Sequence, residues 1–205
     1  SSTLNLSLAG AVTSGTGGTF TANTGTVNYN NAAAQTIAGV TYNNLTLSGG
    51  GVKTTTGATV NRILSMEGTA TASAAPTYGA AASLHYNTAS ARAAGVEWIT
   101  SFAATGGVVI ENTGTITLNA AKVLNAGVPL TINSGATLDV SANNFGITVG
   151  GDWTNNGGTF TGRSGTVTFS GSGTQNISGA TTFSTLALTG VKLSLATGAN
   201  FLVTT

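Results

Sequence analysis

Cysteine is absent from this chain and charge nearly so: six Lys/Arg and five Asp/Glu among 205 residues leave a formal net charge of +1. Without cysteine there is no disulfide framework, no thiolate nucleophile and no thiolate metal ligand, and the redox compartment is left open. Six scattered basic residues form no stripe that could hold a phosphate backbone, which excludes nucleic acid as a partner. The longest apolar runs, such as GGVVIEN at Gly106 to Asn112, fall far short of the roughly 20 residues that span a bilayer. No membrane insertion is expected. A disordered chain would combine low hydrophobicity with high charge; 40% hydrophobic and 5% charged residues is the reverse, so an ordered core is expected.

Thr, Gly, Val, Ile, Asn and Ser dominate what remains. β-Branched residues interleaved with turn formers describe short strands joined by tight corners, an all-β chain. In GTITLN, Ile116 and Leu118 alternate with Thr115 and Thr117, placing apolar side chains on one face and hydroxyls on the other. Strand centres fall at Leu45, Leu64, Leu84, Val108, Leu130, Ile147, Val167 and Leu186, with gaps of 19, 20, 24, 22, 17, 20 and 19 residues. A spacing near twenty with Gly/Asn corners is what one coil of a β-solenoid needs to return above its own start. The expected fold is a right-handed parallel β-helix with coils of about 20 residues. Coils stacked ~4.8 Å apart would bring like charges close together, which accounts for the shortage of charge.

A longer period lies over the short one. Gly17–Gly39 laid on Gly157–Gly179 is identical at 11 of 23 positions, and with one inserted residue YNNLTLSG from Tyr42 continues onto FSTLALTG from Phe183. Residues 1–205 are therefore expected to form a single β-solenoid of about one and a half copies of a roughly 140-residue unit, repeated seven coils apart. SSTLNLSLAG at the start carries no basic segment or apolar core of a signal peptide, and ANFLVTT at the end is strand-like. Both features suggest a piece of a longer repeat protein.

Three stretches carry a family likeness: VGGDWTNNGGTFTGRSGTVTFSGSGTQNISG from Val149 to Gly179, FSTLALTG from Phe183, and PTYGAAASLHYNTASARAAGVEW from Pro76 to Trp98. Together they resemble the β-solenoid repeats of very large bacterial surface proteins, especially adhesin-like proteins of the Bacteroidetes type. The resemblance implies a right-handed parallel β-helix that projects functional tips from the cell, exported by a secretion system that reads another domain, with no catalytic residue. The first copy departs from the pattern, with AGAVT in place of GGDWT, so Val12 stands where the second copy has Trp153.

Candidates for chemistry are few. His85, in SLHYN, is the only histidine, so no multi-His metal site exists, and no base–nucleophile pair or local serine elbow is visible beside it. The five carboxylates are Glu67, Glu97, Glu111, Asp139 and Asp152. Glu97 and Glu111 flank consecutive strands and could approach across a turn as an acid/base pair for polysaccharide cleavage; the competing reading is isolated surface charge. Trp98, Tyr86, Tyr78 and Phe102 fall in one stretch, either stacking on a sugar ring or filling a wider coil between Pro76 and Thr105. Trp153 reads as packing. TFT, TVT and TIT at Thr19, Thr166 and Thr115 raise ice binding, although the triplets do not recur in every coil.

The sequence thus leads to a non-catalytic structural segment, a stalk or filament of an extracellular, cell-surface adhesin, requiring no cofactor and no metal. Its expected partners are neighbouring repeats or identical subunits end to end, and glycans or solid surfaces, with Trp98, Tyr86, Tyr78, Glu97 and Glu111 as the contact residues. A polysaccharide-binding or polysaccharide-cleaving β-helix and an ice-binding solenoid are the alternatives.

Overall fold

The computed structural model describes residues 2–7, 10–11 and 23–204. They form a right-handed parallel β-solenoid with three faces. The first face is a path of ten parallel strands: Thr3–Leu6, Thr26–Tyr29, 44–47, 63–67, Ser83–Asn87, Gly107–Glu111, Leu130–Asn133, Trp153–Asn156, 173–178 and 191–195. One column of side chains runs up its inner side: Val27, Leu45, Leu64, Leu84, Val108, Leu130, Trp153 and Ile177, each at most 3% exposed. A second inner column, Tyr29, Leu47, Met66, Tyr86, Ile110 and Ile132, lies two residues further along each strand. Between the two columns, Asn28, Thr46, Ser65, His85, Val109, Thr131 and Thr154 stand in register on the outer side, the period-2 alternation of a half-buried strand. Burying each large aliphatic side chain contributes about 1.5–3 kcal/mol, so the columns supply most of the cohesion.

The second face runs through 41–42, 59–60 and Thr77–Tyr78, then through Ser101–Phe102, Lys122–Leu124, Ile147–Val149, 166–170 and 185–189. Long strands such as Thr41–Leu47 and Thr166–Ser178 cross the corner from the second face to the first, and their registers slip there, between Tyr42 and Asn44 and between Ser170 and Gly173. An extra residue on one strand bends it, which is how the corner is turned without ending the strand. The third face is built in three blocks. Gln35–Thr36, Val52–Thr54 and Thr71–Ala72 belong to the first; Arg92–Ala93, Thr115–Thr117, Thr137–Asp139 and Thr159–Thr161 form the second; Ala180–Phe183 and Asn200–Val203 form the third.

All eight sequence-assigned strand centres lie in strands, but they occupy two faces. Leu45, Leu64, Leu84, Val108 and Leu130 share the first-face column, whereas Ile147, Val167 and Leu186 are stacked on the second face. The first-face column continues at Trp153 and Ile177 instead. The short gap of 17 between Leu130 and Ile147 is thus the passage from the first face through the third to the second, not a short coil.

The long repeat has the same consequence. Val27 pairs with Leu45 on the first face, while their counterparts Val167 and Leu186 pair on the second. Gln35 is on the third face and Gln175 on the first. Starting at Val27, six returns to the first face lead through Leu45, Leu64, Leu84, Val108 and Leu130 to Trp153, and Val167 lies two faces beyond. The unit therefore recurs after six and two-thirds coils, which replaces the seven inferred from average spacing. Local geometry is preserved across the shift: Asn23 and Arg163, aligned in the two copies, have φ of 43° and 44°. Gly17 to Thr21, Val12 and the TFT beginning at Thr19 lie outside the described residues.

Candidate functional site

Two clusters gather ionisable groups, one inside the solenoid and one on its outer surface. The inner one forms in the long coil between Leu84 and Val108. There the second and third faces lose their ladders: Thr77–Tyr78 does not pair with Ser101–Phe102, nor Thr71–Ala72 with Arg92–Ala93, while the first face continues. The widened interior is filled by Trp98, Tyr86 and Phe102, each 1% exposed or less. Tyr86 and Trp98 have ring centroids 5.9 Å apart, and Tyr78 meets Phe102 at 4.8 Å.

Glu97 sits at the centre of this coil with no exposed surface. Its Oε1 accepts the Tyr86 hydroxyl at 2.9 Å and the Gly95 backbone N–H at 2.9 Å, and Arg92 Nη2 lies 3.6 Å away. The Tyr78 hydroxyl donates to the Glu97 carbonyl at 2.7 Å. Lys122, 2% exposed, donates from Nζ to the Trp98 carbonyl and lies 5.7 Å from the Trp98 ring. Burial first, and then the Glu97 charge, push the Tyr78 and Tyr86 phenols well above their ordinary value. Burial draws the Lys122 ammonium below its usual range, and Glu97 opposes that shift. A residue with no exposed surface offers nothing to a glycan or solid surface, so Trp98, Tyr86 and Glu97 act here as core.

Glu111 is elsewhere. It ends the strand Gly107–Glu111 on the outer side of the first face, past the buried Ile110, and so does not meet Glu97 as an acid/base pair. Its Oε1 instead lies 2.9 Å from His85 Nδ1, and His85 Nε2 lies 3.0 Å from Ser83 Oγ. Ser83 and His85 are two apart on one strand and therefore share its outer side; Glu111 comes from the next coil, 26 residues on. A carboxylate only accepts, so Nδ1 carries the proton and, in the neutral ring, Nε2 accepts from the Ser83 hydroxyl. That single proton has a second acceptor, the Arg62 carbonyl at 3.2 Å. Ser83 is local to His85 in SLHYN, but the period-2 placement of the two side chains on one face went unread, and Glu111 is brought to them only by stacking the next coil.

Other surface features are simpler. Thr115, Thr137 and Thr159 stand in register on the third face beside Thr117, Asp139 and Thr161, a three-coil threonine array broken by Asp139. Arg163 holds the Asp139 carboxylate through Nε at 2.6 Å and Nη2 at 2.7 Å, and these bonds keep its carboxyl below the ordinary range. A cavity of about 350 Å³ runs along the corner past Gly127, Gly150, Gly151, Asp152 and Gln175, with Asp152 bonded to Asn176. Among the described residues no three His, Asp or Glu side chains converge on a metal site, and no helix is long and apolar enough to cross a membrane. Compared with family models, curated proteins and solved structures, the chain matches none of them.

Proposed function

We propose that this chain is a rigid repeat segment of an extracellular bacterial adhesin or surface filament of the Bacteroidetes type. The observation that carries the reading is the first face: ten parallel strands in one unbroken hydrogen-bonded path from Thr3 to Leu195, backed by continuous inner columns. Such stacking transmits load along the axis through backbone hydrogen bonds and apolar ladders, with each coil contacting only its neighbours. The low charge and the recurring long unit suit an array whose coils, or whose identical subunits, stack end to end. Outer Thr, Ser and Asn side chains supply weak polar contacts with glycans or solid surfaces.

Antibodies raised against the purified chain test the location and role together. Labelling of intact, unpermeabilised source cells, with loss of surface attachment when the antibody is present, is the expected result. Labelling only after permeabilisation would overturn the reading. The threonine array Thr115, Thr137 and Thr159 supports a second reading, ice binding. That reading requires thermal hysteresis that falls on Thr137→Val, and absence of hysteresis disposes of it.

A further inference from the structure

The outer relay of Ser83, His85 and Glu111 has the connectivity of a nucleophile, a base and an orienting acid, with heavy-atom separations of 3.0 and 2.9 Å. We propose that Ser83 is a covalent acyl-acceptor site, activated by His85 and Glu111, for small activated carboxylic esters. Three features of the fold support it. Nδ1 of His85 is held against a carboxylate, which fixes the tautomer that leaves Nε2 free to receive the Ser83 proton. Ser83 is 7% exposed, while the His85 and Glu111 side chains retain 20% and 27%, so the relay is reached from solvent by slender molecules. Ile63, 36% exposed, stands in register beside Ser83 on the preceding coil and gives an acyl methyl group an apolar surface to rest on.

The reaction balances with the groups present. As the Ser83 Oγ–carbon bond forms, the hydroxyl proton passes to His85 Nε2, and Glu111 compensates the imidazolium. The bond from the acyl carbon to the leaving oxygen then breaks, and the alcohol departs with the proton from Nε2. What the face lacks decides how far the chemistry goes. The strand Ser83–Asn87 lies between two parallel neighbours, so its N–H groups point within the sheet plane into ladders and none is aimed at an oxyanion above Ser83. General-base assistance is worth about 10²–10⁴-fold, and a missing oxyanion donor forfeits about 10²–10³-fold. Acylation by an activated ester is therefore within reach and deacylation is slow. The acyl group stays on Ser83, so the outcome is a modified serine, with turnover confined to the slow release step.

The test incubates the intact chain with p-nitrophenyl acetate near pH 8 and maps acetylation by peptide mass spectrometry. One equivalent of nitrophenolate released in a burst, with the acetyl group on Ser83, is expected. Ser65, in register with His85 on the preceding coil and with its hydroxyl donating to Glu67, stays unmodified. His85→Ala should slow Ser83 acetylation about 100-fold, and Glu111→Gln should slow it by a smaller factor, in chains whose far-UV circular dichroism is unchanged. A fluorophosphonate probe should label the same serine. No adduct on Ser83, acetylation spread evenly over serines and lysines, or an unchanged rate in folded His85→Ala would each overturn the proposal.

Discussion

Replacing Glu97 with glutamine removes one charge and leaves the shape of the side chain. The amide oxygen can still accept from Tyr86 and from the Gly95 N–H, both 2.9 Å from Oε1 in the parent. What is lost is the counter-charge to Arg92, whose side chain is 9% exposed, and to Lys122, 2% exposed. Breaking a buried pair by removing one partner costs about 3–5 kcal/mol, and the retained hydrogen bonds place Glu97→Gln at about 3 kcal/mol. For a domain of this size that is a fall in Tm of roughly 6–12 °C. Lys122 adds a pH signature. Its folded-state pKa is already below the unfolded value, so the native state pays a desolvation penalty that is fully present below the folded pKa and relieved as pH rises through it. Glu97 raises that pKa; without it Lys122 releases its proton at lower pH, and the deficit of the variant shrinks between pH 7 and pH 9.5. Guanidinium unfolding followed by tryptophan fluorescence at the two pH values measures both effects, and a double-mutant cycle with Arg92→Met isolates the pair. A change under about 0.5 kcal/mol at pH 7, the size of an ordinary surface substitution, or a deficit that grows with pH, would refute Glu97 as the buried keystone of the long coil.

Leu84→Ala, in the first-face column between Leu64 and Val108, should cost about 2–5 kcal/mol in chemical denaturation. Val123→Ala, 37% exposed on the second face, should stay within about 0.5 kcal/mol. Gly179 and Gly127 share a φ of 77°, but a Cβ on Gly179 would fall on the Asn155 carbonyl while one on Gly127 meets nothing within 4 Å. Gly179→Ala should therefore be the more destabilising by about 1–3 kcal/mol, read from the difference in unfolding midpoints. Asp139, held low by Arg163, contributes stability that is present above the ordinary carboxylate range and lost as pH falls through its depressed folded pKa. Arg163→Gln should move the Asp139 titration, followed by NMR, back upward and flatten the acid limb of the stability curve.

The parallel stacking was legible because apolar residues near a twenty-residue period sit in one column, as Leu45, Leu64 and Leu84 do. Which face a strand joins was not, because all three faces use the same alternation of Thr or Ser with an aliphatic residue. Spacing put Ile147 after Leu130, and the register puts Trp153 there instead. The burial of Trp98 and Trp153 follows from their size in a narrow interior. That of Glu97 does not, since its partners Tyr86, Arg92 and Lys122 come from separate stretches of chain. Charge and exposure usually go together, which makes Glu97 read as surface from sequence and Glu111 read as its mate. The contact of Glu111 with His85 lies in the same gap: it depends on which residues the next coil lays alongside, a quantity that spacing gives only to within a few residues.

In an array built of such units, the two-thirds of a coil left over by the long unit gives the rod a phase. Any side chain carried by every copy, such as the turn occupied by Asn23 and then Arg163, comes round two faces later each time. Three successive units place it on all three faces and then begin again, so a sequence with a single repeated patch winds that patch about the axis like the stripe on a barber's pole. A rod made this way has no front or back: whatever it touches meets the same chemistry from any azimuth. Its bulky and slender coils are averaged around the axis as well, which keeps it from bending preferentially toward one side.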